Sequence, residues 1–434
     1  MRLAPLLAFL ALASPVFAQE TAEPPVTQED DPFHFGGELK TGFRWSQAQQ
    51  STVFGSRSQP IGFMKTPDVG SAFEFQHLAI TGEGHITSGV FAKFEVRFLD
   101  QYNRNPSSAD QVVFVRQAFV RFGDKSQRLS GERGSRFYAQ IGMAPRFSKQ
   151  MVRRLESYGL WGTAVGRFEQ PQVELGATFG PRIYARAMAG AGNTLFLRDT
   201  NPLAGDNQTQ TPDPSAVHAT DFPILYDAKY QGVNSTRHSE VGAGLGVRAG
   251  GGDKAGFDLL GWYFTRRLAP TASIYESEYP GELAVLKGAG FPIPTSGNRR
   301  REWGVNLEGR AAGLRFFGQW IDQDLAGAGR HGVEAEAAWN IALPGLFLVG
   351  ESPFGNWIQP AFRFSWIHND FTAPLPYPRL SVVWPWKKYD FALRMGLVRN
   401  VDVTAEYTFH QVFRFAGAPN LPMKEFLVTL RAGF

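Results

Sequence analysis

The stretch Glu425-Phe426-Leu427-Val428-Thr429-Leu430-Arg431-Ala432-Gly433-Phe434 decides the fold. In an extended strand successive side chains point to opposite faces. Phe426, Val428, Leu430, Ala432 and Phe434 therefore share one face. Chain ends usually fray, and an exposed apolar edge strand is an aggregation hazard. A final strand of this kind is expected to be paired on both sides, with its apolar face against something apolar.

The same period of two runs back through the chain. Val90, Ala92, Phe94, Val96 and Phe98 alternate with Phe91, Lys93, Glu95 and Arg97. Val173, Leu175, Ala177 and Phe179 alternate with Gln172, Glu174 and Thr178, and Val333, Ala335, Ala337 and Trp339 with Glu334 and Glu336. Val401, Val403, Ala405, Tyr407 and Phe409 alternate with Asp402, Thr404, Glu406 and His410. Each run is about 9 to 13 residues, the length of a tilted membrane strand and longer than the usual soluble strand. So many charges on one face of a sheet need water, which a wet lumen supplies. Two segments are not clean: Gln111 to Phe122 puts Arg116 and Arg121 on opposite faces, and the residues around Pro378 to Trp386 are ambiguous.

Composition agrees. The mean hydropathy of the 434 residues is −0.22, as expected where only every second residue meets lipid. Beyond the N-terminus there is no run of about 20 apolar residues to make a membrane helix. Gly 47 and aromatic 14% suit tight turns and aromatic girdles. Cys 0 excludes disulfides and thiolate chemistry. The expected fold is all-β: a transmembrane antiparallel barrel of about 16 strands, with 18 as the alternative. Connections alternate between short (Gly180-Pro181, Gly313, Arg399-Asn400) and long (Ser46 to Gly70, Gly192 to Ser239, Arg266 to Arg301). Short periplasmic turns and long external loops produce that asymmetry.

Residues 1–18 read as a secretory signal: Arg2, an apolar core from Leu3 to Leu12, and Val16-Phe17-Ala18 before the cleavage site. Residues 19–34, acidic and Pro-rich, are expected to be a disordered periplasmic lead-in, and 35–434 the barrel. The formal net charge is +4, and loss of Arg2 leaves 4 − 1 = +3. That is too small to argue for a nucleic-acid partner.

A wide barrel is a pore unless something fills it. The candidate constriction is Ala144 to Gln170, which carries Arg146, Lys149, Arg153, Arg154 and Arg167 against Glu156 and Glu169. Folded inward, such a loop would concentrate anions, and guanidinium forks suit phosphate or carboxylate. The alternative is a solvated external loop with ordinary charges. Lys93, Arg97, Arg182 and Arg186 are candidate wall cations, while Glu95, Glu174, Glu308, Glu334, Glu336 and Glu406 also face the lumen. Inward aromatics such as Phe91 and Tyr184 would favour sugars, although packing explains them as well. No nucleophile motif, metal-ligand spacing or phosphate-binding loop is present, so neither an enzyme nor a cofactor is expected. A channel for sugars or organic acids, and a non-conducting structural or adhesive barrel, stay open.

Three stretches resemble the phosphate-selective porin O/P family: Phe75 to Phe98, Val115-Arg116-Gln117-Ala118-Phe119-Val120-Arg121-Phe122, and Ile141-Gly142-Met143-Ala144-Pro145-Arg146-Phe147-Ser148. Met395 to Tyr407 is similar to that family's penultimate hairpin. Gln117 stands where the family pattern has Asp, and Ala144-Pro145-Arg146-Phe147 replaces its Lys and Pro. The resemblance implies a 16-stranded, often trimeric channel in the outer-membrane lipid of a Gram-negative bacterium, passing small hydrophilic anions. In this class a terminal aromatic such as Phe434 resembles the signal read by the barrel-assembly machinery.

Overall fold

The computed structural model describes residues 33–47, 51–56, 59–64, 70–98, 113–123, 136–149, 154–164, 169–192, 224–226, 239–250, 255–267, 273–275, 281–290, 297–370, 379–380, 384–413 and 420–434. Among these, sixteen long strands close into one antiparallel barrel. The first eight are β1 (His34–Ser46), β2 (Gly70–Thr87), β3 (Val90–Phe98), β4 (Val113–Gly123), β5 (Arg136–Pro145), β6 (Glu169–Phe179), β7 (Ile183–Gly190) and β8 (Glu240–Gly250). The others are β9 (Ala255–Arg267), β10 (Arg299–Ala311), β11 (Leu314–Leu325), β12 (Ala328–Trp339), β13 (Trp357–Asn369), β14 (Trp386–Val398), β15 (Val401–Val412) and β16 (Leu421–Gly433). Every strand pairs with its sequence neighbours. The ring closes where β1 pairs with β16 from Glu38↔Gly433 to Ser46↔Glu425. The expected count of 16 therefore holds, and no sheet edge is left to hydrogen-bond in lipid.

The terminal strand makes this closure. The Gly37 N–H donates to the Phe434 carbonyl at 2.9 Å, and the Phe434 N–H donates back to Gly37 at 3.1 Å. A Cβ on Gly37 would stand 2.2 Å from the Phe434 ring, so only glycine lets that ring lie flat on β1.

Alternation gives the two faces. Phe137, Ile141, Val173, Leu175, Phe179, Leu245 and Phe391 are exposed on the outside. Tyr138, Gln140, Glu174, Arg186, Arg363 and Glu406 are buried inside. Phe35, Phe122, Phe137, Phe179, Phe257, Trp339 and Phe434 ring the outside near the end that carries the short turns and both ends of the barrel chain. Tyr263, Trp303 and Trp320 lie toward the other end. An apolar belt between aromatic girdles around a charged interior is the pattern of an outer-membrane barrel, and that membrane is where the chain belongs.

The irregular segment is explained by a β-bulge. Between β3 and β4 the register passes from Glu95↔Gln117 to Val96↔Val115, skipping Arg116. The extra residue switches the parity of the strand. Val113 and Val115 face out on one side of the bulge and Phe122 on the other, while Arg116 and Arg121 both reach the lumen.

The connections broadly alternate as expected, but β11 and β12 are joined by a tight turn at the long-loop end, and β4–β5 and β12–β13 by longer connections at the short-turn end. Between β12 and β13 a small hairpin, Phe347–Val349 with Ser352–Phe354, extends the wall. The 1–18 leader, most of the 19–34 lead-in and most of the Gly192 to Ser239 loop lie outside the described residues. The barrel begins at His34, and Phe33 before it already stacks on Phe94.

Candidate functional site

The connection between β5 and β6 folds into the barrel and crosses to the far wall. At its root, Arg146 donates from Nε to Glu240 at 2.7 Å and from Nη1 to Glu302 at 2.8 Å. Its guanidinium lies 4.8 Å over the Phe264 ring, and Phe147 packs on the same ring at 5.0 Å. Asn306 and Gln319 donate to the Ser148 carbonyl at 2.6 and 3.3 Å. Lys149 turns back to Glu169 at 2.6 Å, where Arg116 also arrives at 3.1 Å.

Beyond this root, the loop backbone is held by wall carboxylates. The Arg154 N–H donates to Glu336 at 2.7 Å. The N–H groups of Glu156 and Ser157 donate to Glu406 at 2.8 and 3.2 Å, and the Ser157 hydroxyl also reaches Glu406. A short helix, α1 (Leu160–Ala164), follows. The N–H groups of Trp161 and Gly162 donate to Glu334 at 3.0 and 3.3 Å. A Cβ at Gly159 would stand 1.9 Å from that carboxylate, so glycine is what lets Glu334 reach the backbone. The Trp161 indole N–H donates to the Trp366 carbonyl at 3.0 Å. Leu155 fills a recess formed by three small inward residues, Ala338, Ala361 and Ala392.

Cations on the same wall balance these acids. Arg363 donates to Asp390 at 2.9 Å, and to the Ser157 carbonyl and hydroxyl at 2.9 and 2.7 Å. Lys388 pairs with Asp390 at 2.8 Å and donates to the Tyr158 carbonyl at 2.6 Å. Burying ions is expensive unless each is paired and hydrogen-bonded; here every ion is hydrogen-bonded, and the Arg363 Nη1 and Glu336 Oε2 atoms, 3.6 Å apart, are held by charge alone. It fixes the loop against β12 to β15.

The opposite wall carries charge that water still reaches. Lys93 pairs with Glu83, and their side chains are 28% and 31% exposed, whereas Arg363 and Asp390 under the loop are 0% exposed. Arg97 donates to Glu95 at 2.7 Å, Gln117 donates to Glu95 at 3.0 Å, and Arg121 lies 4.3 Å over Phe91.

The structure separates the residues expected to form the site. Arg146 and Lys149 lie in the inward loop, each against a carboxylate. Arg154 contributes a backbone amide to the anchoring. Arg153 and Arg167 lie outside the described residues. Lys93 and Arg97 stand on β3, each against a carboxylate. Arg186 is buried on β7, 4.0 Å from Glu174 and 5.2 Å from the Tyr184 ring. Arg182 does not join them: it sits exposed in the turn before β7, because the strand starts one residue later. Tyr184 donates to Asp258 at 2.5 Å and is buried, as a packing residue would be. The inward direction of Glu334, Glu336 and Glu406 was readable from alternation. Their task of holding loop amides was not, because nothing local in sequence marks a partner some 170 to 250 positions away.

No known family model matches the chain, and no curated protein matches its sequence. Its fold is found in solved structures. The outer membrane channel DcaP of Acinetobacter baumannii aligns at TM-score 0.52 and 9% identity, over 93% of this chain and 97% of that one. Pseudomonas putida OprB aligns at 0.53 and 8%, over 93% and 94%. Salmonella typhi OmpF, solved with daunomycin, aligns at 0.50 and 10%, over 93% and 97%. At such identities the likeness is one of architecture: this chain has the fold of the outer-membrane porins.

Proposed function

We propose that the protein is an outer-membrane porin through which small hydrophilic solutes diffuse passively, with a preference for anions. One observation supports the reading: the inward loop is fixed to β12 to β15, which on this reading leaves the opening beside β2 to β4, where cations exceed acids. Among the described side chains of β2 to β4, Lys93, Arg97, Arg116 and Arg121 stand with Glu83 and Glu95, four positive groups against two negative. The acids that would favour cations on the other wall lie under the loop. A small excess in a low-dielectric lumen biases selectivity without binding a solute tightly.

The preference is therefore a general one for anions. Phosphate is a candidate solute through the resemblance to the O/P porins. Arg146 and Lys149 support strong phosphate selectivity poorly, since carboxylates already occupy them. The same resemblance underlies a homotrimer as the assembly and Phe434 as the contact of the barrel-assembly machinery.

Reversal potential in asymmetric salt across a planar bilayer tests the reading. Anion permeability above cation permeability is expected, with only weak block by millimolar phosphate. Absence of conductance would sink the porin reading, and cation preference would sink the selectivity alone. Cross-linking in detergent reads the trimer.

A further inference from the structure

On the outside of β9 and β10 three arginines stand together. Arg267 is directly opposite Arg299, and Arg301 is opposite Thr265, one step below. All three are exposed, while the alternate residues Arg266, Arg300 and Glu302 are buried inside. Like charges directly across a sheet repel. Among the described residues no carboxylate forms an ion pair with any of the three. Asp324, opposite Arg301 in the β10–β11 register, instead accepts the Gly327 N–H at 2.7 Å.

Their height is informative. Immediately below them Tyr263 pairs with Trp303, both half exposed to lipid. Such aromatics mark the membrane interface. At roughly 3.3 Å per residue along strands tilted by about 40°, Arg301 sits about 5 Å above that level and the Arg267–Arg299 pair about 10 Å above it. That is headgroup depth, at the end of the barrel with the long loops, hence in the outer leaflet.

We infer that Arg267, Arg299 and Arg301 form a binding site for the phosphate groups of the phosphorylated glycolipid of the outer leaflet. A guanidinium fork binds phosphate bidentately, and an anion between the three converts their repulsion into attraction. The site lies on the outer surface and stands apart from the pore and its selectivity.

The test is titration of the full-length, detergent-solubilised barrel with diphosphoryl lipid A, followed by native mass spectrometry. The wild type should bind it, and dephosphorylated lipid A should not. Inorganic phosphate at equal concentration should fail to displace it. The variant Arg267→Gln/Arg299→Gln/Arg301→Gln should bind on the order of a hundredfold more weakly, with conductance unchanged. Equal binding by wild type and triple variant overturns the site. Equal binding of the dephosphorylated lipid overturns the phosphate chemistry, and displacement by inorganic phosphate overturns the lipid as its source. If the triple variant does not fold, Arg299→Gln alone carries the test, with a loss of roughly fivefold; no loss overturns the proposal.

Discussion

The wall of β12 to β15 and the wall of β2 to β4 are built from the same kinds of side chain and use them in opposite ways. On the first, Glu334, Glu336, Glu406, Asp390, Arg363 and Lys388 are all buried and directed at the loop or at each other. On the second, Lys93 and Glu83 stay in partial contact with water, and Arg97 beside the buried Glu95 does so less. Residue type does not distinguish the two. What differs is whether a backbone with unsatisfied N–H groups is laid over the charges. Where it is, carboxylates become structural anchors in a low-dielectric layer. Where it is not, the charges stay nearer to water and hold less stability, which leaves them available for the role proposed above.

The sharpest way to break this contrast is to remove an anchor. Glu406→Ala leaves the amides of Glu156 and Ser157 without an acceptor and Arg363 and Lys388 short of a counter-charge. Loss of one partner from a buried charged network costs about 3–5 kcal/mol. Loop attachment should bear that loss, so single-channel conductance should rise and become noisy while the barrel still migrates as a folded, heat-modifiable band. Unchanged conductance would mean that the loop does not limit the pore.

Crowding the contact should act in the same direction with a smaller effect. Gly159→Val places carbon where Glu334 now stands. Overpacking of this kind costs about 1–3 kcal/mol, and faster limited proteolysis of the loop is the readout. The open wall should respond differently. Lys93→Gln is expected to change barrel stability by less than about 1 kcal/mol yet move the reversal potential toward cation preference. A large fall in melting temperature with no change in selectivity would reverse the roles assigned to the two walls.

Particular residues show how far the sequence could be read. Along β6, alternation of Val173, Leu175 and Phe179 with Gln172, Glu174 and Thr178 matches the observed faces residue by residue. It does so because lipid outside and charge inside impose a period of two on any membrane strand. The rule failed at Arg116, where one extra residue shifts the register and only the partner strand reveals it. It was silent on Arg267, Arg299 and Arg301, which read as two basic runs until β9 and β10 are set side by side.

The strand that ends at Phe434 shows the same division. By itself the sequence determined a large barrel, its inside and outside, and a long loop rich in arginine, since each of these is a local pattern of polarity and spacing. The tertiary structure alone decided that Phe434 closes onto Gly37, that the loop lies on Glu334 and Glu406, and that Lys93 keeps more contact with water than the ions under the loop. Those are choices between partners far apart in the chain. Many carboxylates could satisfy a loop amide, and only the register of sixteen strands around a closed ring brings particular ones within hydrogen-bond reach.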